Sequence, residues 1–301
     1  MKNRIKSLLL STILVFSSIL FCCNFTINSA AKSVDTKPSV KCNNGVFIGS
    51  KEDNTNVLSF KGIPYAKAPV GDLRWKAPQP ADASSKKFDA TKFGKSCLQT
   101  PSNELIDINN TGEDCVTLNI WTADNDLKNK PVMFFIHGGS YGWGGSCEDV
   151  YNGKYLVNTY PDVILVTINY RLNLFGFIDF SHVPGGENFK DAPYLGILDQ
   201  QMALKWVKEN IASFGGDPNN VTIFGESAGS GSVISLLAAE GSEGLFNRAI
   251  AQSGVNLNNS QAKFDETNQA ALLLEATGCE NMDELIALSE KEIYAAMKKE
   301  T

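Results

Sequence analysis

Apolar runs of strand length alternate along this chain with longer amphipathic stretches, and the spacing of the two predicts its elements. Pro131 to Ile136 and Val163 to Asn169 are continuous apolar runs, the pattern of strands buried on both faces. Val116 to Thr122 alternates apolar with polar, as a half-buried strand does. Val221 to Phe224 is a short β-branched run, and Arg248 to Gln252 reads as the strand after it. Between them, Ser230 to Ala239 reads as a helix, small at its start and Leu-rich further in. Leu195 to Phe214 carries the helical period through Leu198, Met202, Leu204, Trp206 and Ile211. From Asn259 onward the chain is helical and amphipathic, with apolar faces at Ala270 to Ala276 and Met282 to Leu288. Strands alternating with helices imply an α/β fold with a mostly parallel central sheet flanked by helices.

The N-terminal third is less regular. Gly45 to Gly49 and Val57 to Gly62 suggest a hairpin around the charged turn Lys51 to Asn54. Ile63 to Pro78 is too rich in Pro and Gly for regular structure. Its Tyr65, Leu73 and Trp75 want burial, so it reads as an ordered crossing loop.

The extreme N-terminus changes the picture. Basic residues fill Met1 to Lys6, no charge falls between Ser7 and Ala31, and Leu8 to Cys23 is an apolar core. Small residues at Ser29-Ala30-Ala31 suit cleavage, so residues 1–31 read as a secretory signal peptide and the mature chain as secreted or extracytoplasmic. The apolar core is at the long end for a signal, which leaves an uncleaved membrane anchor as the rival reading. Phe21 is too bulky for the small residue that precedes a lipid-bearing cysteine, which argues against Cys22 in that role. Residues 32–44 read as a polar tether. Five cysteines follow the leader: Cys42, Cys97, Cys115, Cys147 and Cys279. Export permits disulfides, and the odd count leaves at least one thiol unpaired within the chain. A net charge of −6 argues against nucleic acid as a partner.

Two stretches carry chemistry. Gly225-Glu226-Ser227-Ala228-Gly229 lies between a strand and a helix and matches Gly-x-Ser-x-Gly. That spacing makes a sharp turn with a serine at its tip, and the glycines let strand and helix backbones approach. The helix start then points amide groups and a positive dipole end at charge developing beside Ser227. The second stretch, His137-Gly-Gly-Ser-Tyr-Gly-Trp-Gly-Gly145, follows a buried strand and leaves backbone amides open to a ligand. A phosphate loop would need Gly-Lys-Ser/Thr, which is absent, so it reads as the remote half of an oxyanion hole. No motif calls for a metal or a cofactor.

Several motifs closely resemble signatures of the type B carboxylesterase (cholinesterase-like) family of α/β-hydrolases. They are Phe224 to Gly229, Glu113 to Trp121, Phe60 to Ala66, Thr167 to Leu172, Leu198-Asp-Gln200 and Phe214 to Pro218. The resemblance implies that residues 45–301 are the N-terminal part of an α/β-hydrolase domain. It makes Ser227 the nucleophile, the amides of Gly139, Ser140 and Ala228 the oxyanion hole, and Glu226 a supporting carboxylate. The family usually has Gly or Ala where Ser140 stands, and a backbone donor survives that change. Cys97 and Cys115 match the family's first disulfide; Arg74 with Glu113, and Arg171 with Asp199, match its buried ion pairs. Leu98 to Asp114 contains no aromatic residue, which argues against choline esters and for general short-acyl or aryl esters as the small-molecule substrate.

In this fold the order is Ser, then Asp/Glu, then His. The two histidines, His137 and His182, both precede Ser227. His137 has a structural place in the glycine loop, and His182 reads as a surface loop residue. The resemblance therefore implies an incomplete N-terminal portion whose triad acid and histidine lie past residue 301, in a missing C-terminal piece. Residues 1–301 alone are expected to be inactive and poorly soluble. The absent histidine also keeps open a non-catalytic interaction module on the same fold, and a hydrolase of another acyl bond shares its signature.

Overall fold

The computed structural model describes residues 37–100, 106–254 and 266–298. The expected leader, residues 1–31, lies outside the described residues.

β1 (Ser39–Cys42) and β2 (Gly45–Ile48) form a tight antiparallel hairpin, and β3 (Ser50–Lys51) pairs with β4 (Val57–Pro64) in a second one. β5 (Lys87–Asp89) joins β2 in parallel to complete a three-stranded sheet, β1-β2-β5. β6 (Ser96–Cys97) and β7 (Thr111–Gly112) make a two-stranded ladder. Two sequence expectations are corrected here. Ser39–Cys42 is a strand, not tether, because the Asn43-Asn44 turn folds it back onto Gly45–Ile48. The hairpin around Lys51 to Asn54 is closed by β3, while β2 turns away into the small sheet.

The main sheet adds β8 (Thr117–Ala123), β9 (Lys130–Ile136), β10 (Ile164–Ile168), β11 (Gly216–Glu226) and β12 (Arg248–Gln252). Its order is β12-β11-β9-β10-β8-β4-β3. The four strands from β12 to β10 are mutually parallel, and β8, β4 and β3 continue antiparallel. α1 (Lys154–Thr159), α2 (Asn173–Gly176), α3 (Leu195–Asn210) and α4 (Ala228–Ala238) follow their strands. α4 starts two residues before the expected Ser230. α5 (Glu266–Thr277), α6 (Met282–Ala287) and α7 (Glu290–Met297) end the described chain. α6 and α7 are N-capped by the side chains of Asn281 and Ser289.

Alternate residues of the central strands face two different cores. Phe134, Ile136, Val166 and Ile168 pack with Leu204 and Val207 of α3 and Val233 of α4. Phe135 and Leu165 pack with Trp121 and with Val157 of α1. Each such buried side chain contributes about 1.5–3 kcal/mol. A third cluster joins Trp75, Phe175 and Phe180 to Leu273, Met282, Leu285 and Ile293 of α5–α7.

β8 departs from the half-buried pattern: all seven of its residues are buried. Asn119 is the reason its polar positions are tolerated. Its amide donates to Ser146 Oγ and Thr167 Oγ1, and its carbonyl accepts from Gly62 N–H, at 2.9, 3.0 and 2.9 Å.

Two buried ion pairs tie the loops around this frame. Arg171 grips Asp199 through Nε and Nη2 at 2.8 and 2.6 Å. Arg74 grips Glu113 at 2.6 Å through both Nε and Nη2, and donates from Nη1 to the carbonyls of Ile286 and Leu288. Burial pushes the Glu113 carboxyl above its usual range, against the pull of Arg74. Cys97 and Cys115 are joined by a disulfide, and Cys42, Cys147 and Cys279 are free thiols. Among the described residues, no helix is long and apolar enough to cross a membrane.

Candidate active site

The C-terminal ends of β9 and β11 place two loops side by side. At the tip of β11, Ser227 holds φ 55° and ψ −120°, a conformation that costs a non-glycine residue about 1–3 kcal/mol. Neighbouring backbone makes it obligatory. Ser227 N–H donates to the Gln252 carbonyl of β12 at 2.9 Å, and the Ser227 carbonyl accepts from Gly231 N–H at 3.0 Å. A side chain at residue 229 would collide with the Ile136 carbonyl, and one at residue 225 with the backbone of Gly229. The two glycines of the motif therefore answer to sterics, and they bring α4 against the end of β9.

After β9, Gly139, Ser140 and Tyr141 hold φ of 106°, 54° and 57° in succession. Gly142 and Trp143 both donate to the Gly139 carbonyl, at 2.9 and 3.0 Å. His137 fixes the turn from below. Its buried ring stacks on Tyr170 with centroids 4.6 Å apart, and Nδ1 lies 2.7 Å from the Gly138 carbonyl. A carbonyl can only accept, so Nδ1 carries the proton. Because the C=O and N–H of one peptide point in opposite directions, holding the Gly138 carbonyl toward the ring turns the Gly139 N–H away from it.

Farther along the loop, other groups take the backbone. Gln99 bonds both the N–H and the carbonyl of Gly144 at 2.9 Å, Glu148 accepts from Gly145 N–H, and Asn169 accepts from Ser146 N–H. The Tyr141 carbonyl accepts from Asn173 N–H at 2.7 Å. By contrast, the amides of Gly139, Ser140 and Ala228 have no acceptor among the described residues. The Ala228 amide also sits at the N-terminus of α4, which has no side-chain cap. Unpaired amides beside a helix start make a seat for developing negative charge.

Glu226 is exposed, and its carboxylate lies beside Gly138. Tyr151, near Glu148 and Glu226, has its phenol pushed up to about 12, by burial first and then by those charges. Neither histidine is hydrogen-bonded to Ser227. His137 is fully buried, and burial lowers its pKa to about 4; His182 is exposed in the loop after Phe180. Among the described residues, no three His, Cys, Asp or Glu side chains cluster as metal ligands do.

The sequence did not point to Gln99, Asn173 or Tyr141 as supports of the loop. Tyr141 OH accepts from Ser232 Oγ of α4 at 3.5 Å, and Gln200 Nε2 donates to the same Ser232 oxygen at 2.9 Å. Residue 231 must be small for the phenol to fit: a Cβ there would lie 2.6 Å from its oxygen. The only available signal was Tyr141's place inside the glycine loop.

A parallel sheet that turns antiparallel toward one edge, helices on both faces and a serine elbow after a central strand define the α/β-hydrolase class. The chain belongs to the carboxylesterase family (type B), which matches residues 36–301. It is 42% identical over 244 residues to the para-nitrobenzyl esterase of Bacillus subtilis, covering 80% of this chain and 49% of that protein. It is 41% identical over 241 residues to the cholinesterase of Mus musculus, covering 76% and 39%. Among solved structures, a thermophilic pNB esterase superposes with a TM-score of 0.77 at 39% identity, covering 88% of this chain and 54% of that one. The carboxylesterase of Geobacillus stearothermophilus gives 0.75 at 41%, covering 87% and 53%. The chain thus spans about half the length of these bacterial relatives, and less of the mouse enzyme.

Proposed function

We propose that this chain carries the nucleophile and the oxyanion hole of a secreted serine carboxylesterase that works through an acyl-serine intermediate. The observation that supports this best is the meeting of a strained Ser227 with amides left unpaired at Gly139, Ser140 and Ala228. In the proposed reaction Ser227 Oγ attacks the ester carbonyl, its proton passes to a base, and the carbonyl oxygen takes the negative charge. The three amides hold that oxygen, each worth about 2.7–4 kcal/mol of barrier by analogy with other oxyanion holes. Glu226 supports the base electrostatically and does not join the triad. Expulsion of the alcohol leaves the acyl-serine, and water then releases the acid.

The base is the part that residues 1–301 do not furnish. His137 is committed to Gly138 and buried, and His182 lies in an exposed loop. We assign the triad acid and histidine to sequence beyond Thr301. Losing the histidine of a comparable triad costs about 10⁶ in turnover. Residues 1–301 alone are therefore expected to hydrolyse p-nitrophenyl acetate at background rate. The same chain extended by the codons that follow residue 301 should take a fluorophosphonate on Ser227, and Ser227→Ala should abolish the label. Enzyme-level, Ser227-dependent turnover by residues 1–301 would overturn the assignment of the base. An extended chain that folds yet takes no label would overturn the esterase reading and favour an interaction module.

A further inference from the structure

The end of the sheet away from Ser227 holds a buried charge that none of the chemistry above uses. Lys130 opens β9, whose 7 residues at about 3.3 Å each put it about 20 Å from the amide loop. The residue is only 3% exposed. Its ammonium donates to Thr122 Oγ1 and to the Ala123 carbonyl, both at 3.1 Å. Thr122 sends its own hydroxyl proton to the Phe214 carbonyl, so toward Lys130 its oxygen only accepts. The third ammonium N–H meets no acceptor among the described residues, and no carboxylate there forms an ion pair with it. A lysine this deeply buried is ordinarily paired. Burial first, and then Lys128, lower its pKa, while Asp124 and Asp162 pull the other way from a distance. Asp124 itself pairs with Lys51 at 3.4 Å. A cavity of about 240 Å³ opens beside this group, with Lys130, Thr122 and Ala123 in its wall. Val40, Leu58, Phe60, Leu127 and Phe214 give it an apolar lining, and Lys128 adds a second cation.

We propose that this cavity binds a small apolar monocarboxylate, its carboxylate on the Lys130 ammonium and its hydrocarbon part against Leu58, Phe60 and Phe214. Charge decides the head group. A neutral guest leaves the ammonium without a counter-charge, and a cation would face Lys130 and Lys128 together. A carboxylate supplies both the missing acceptor and the missing charge, in the strong form of hydrogen bond. The lining decides the rest. A dianion such as phosphate would lose hydration against Leu58 and Phe60 with too few donors to replace it, whereas an apolar body exchanges water for those side chains. Volume sets the size. A cavity of about 150 Å³ holds a benzene, so 240 Å³ takes one ring or short chain with its carboxylate, and lies below the range of drug-sized sites. Neither Ser227 nor the amide loop takes part, so this site stands whatever the outcome for the esterase reading.

Ligand-observed fluorine NMR of residues 1–301 tests this with three probes of like shape: 4-fluorobenzoate, 4-fluorobenzamide and 4-fluorobenzylammonium. The acid should bind at least about tenfold tighter than the amide, the gain expected from a hydrogen bond to a buried charge, and the ammonium should bind weakest. Lys130→Met keeps the length and the apolar stem of the side chain. It should retain a cooperative thermal transition and shrink the preference for the acid at least fivefold. A second measurement needs no variant. Photolysis of 4-azidobenzoate with the wild-type chain should mark residues 38–40, 58–60, 122–130 or 213–214 in peptide mass spectra, and excess 4-fluorobenzoate should suppress the mark. Amide or ammonium binding as tight as that of the acid overturns the proposal. So does a preference for the acid that is unchanged in a folded Lys130→Met chain, or a suppressible photolabel confined to other residues.

Discussion

Two strands of one sheet live in opposite environments. β9 lies between β10 and β11, and Val132, Phe134 and Ile136 are wholly removed from solvent. β12, two places away at the edge, has all five of its residues exposed, Ile250 among them. Both strands run parallel, and both serve the elbow: β9 supplies the Ile136 carbonyl against Gly229, and β12 supplies the Gln252 carbonyl to Ser227 N–H. The contrast separates two jobs. The centre of the sheet is fixed by packing and buried charge, so small changes there propagate. Among the described residues β12 serves the elbow through its backbone, and its exposed apolar side chains invite pairing with another strand.

That division can be broken most forcefully at the buried charges. Asp199→Ala would leave the Arg171 guanidinium buried without its carboxylate, and should cost about 3–5 kcal/mol in urea denaturation. If the loss is under about 1 kcal/mol, the interior is more plastic than this comparison holds. A subtler probe is pH. His137 titrates at about 4 in the fold against 6.5 in the unfolded chain, so the unfolded state binds the extra proton first. Stability from this group is complete above pH 6.5, declines as the pH falls toward 4, and is level below. At about 1.36 kcal/mol per pH unit the full loss is about 3 kcal/mol. Comparing the wild-type chain with His137→Gln at pH 7.5 and 4.5 isolates it: the variant should lack this component of the slope. The smallest effect belongs to the edge. Ile250→Lys should change stability by no more than about 0.5 kcal/mol while reducing self-association in sedimentation velocity. A lysine that unfolds the chain would show that β12 is not the bystander described.

Much of this was legible in the sequence, for local reasons. Gly225, Ser227 and Gly229 announce the elbow because only glycine fits where two backbones touch. Pro131 to Ile136 and Val163 to Asn169 announce buried strands because nothing polar interrupts them until the end. Strand partners were not legible. Hydrophobic period marks Gly45–Ile48 as a strand without saying that it pairs with Ser39–Cys42 and Lys87–Asp89. β8 looked half-buried because Asn119 and Thr122 read as polar, yet their bonds to Thr167 and to the Phe214 carbonyl allow full burial. α4 begins at Ala228 despite Gly229 and Ser230, since packing on β9 overrides their weak helix propensity.

The tight fit at residue 229 carries a lesson for distant cousins that have given up chemistry. A lineage could exchange Ser227 for another small residue and keep its architecture, but the same lineage could not enlarge residue 225 or 229 without prising a helix from a sheet. Retained glycines in such a descendant would testify only to ancestry of shape, and the side chain between them would be the sole witness to trade.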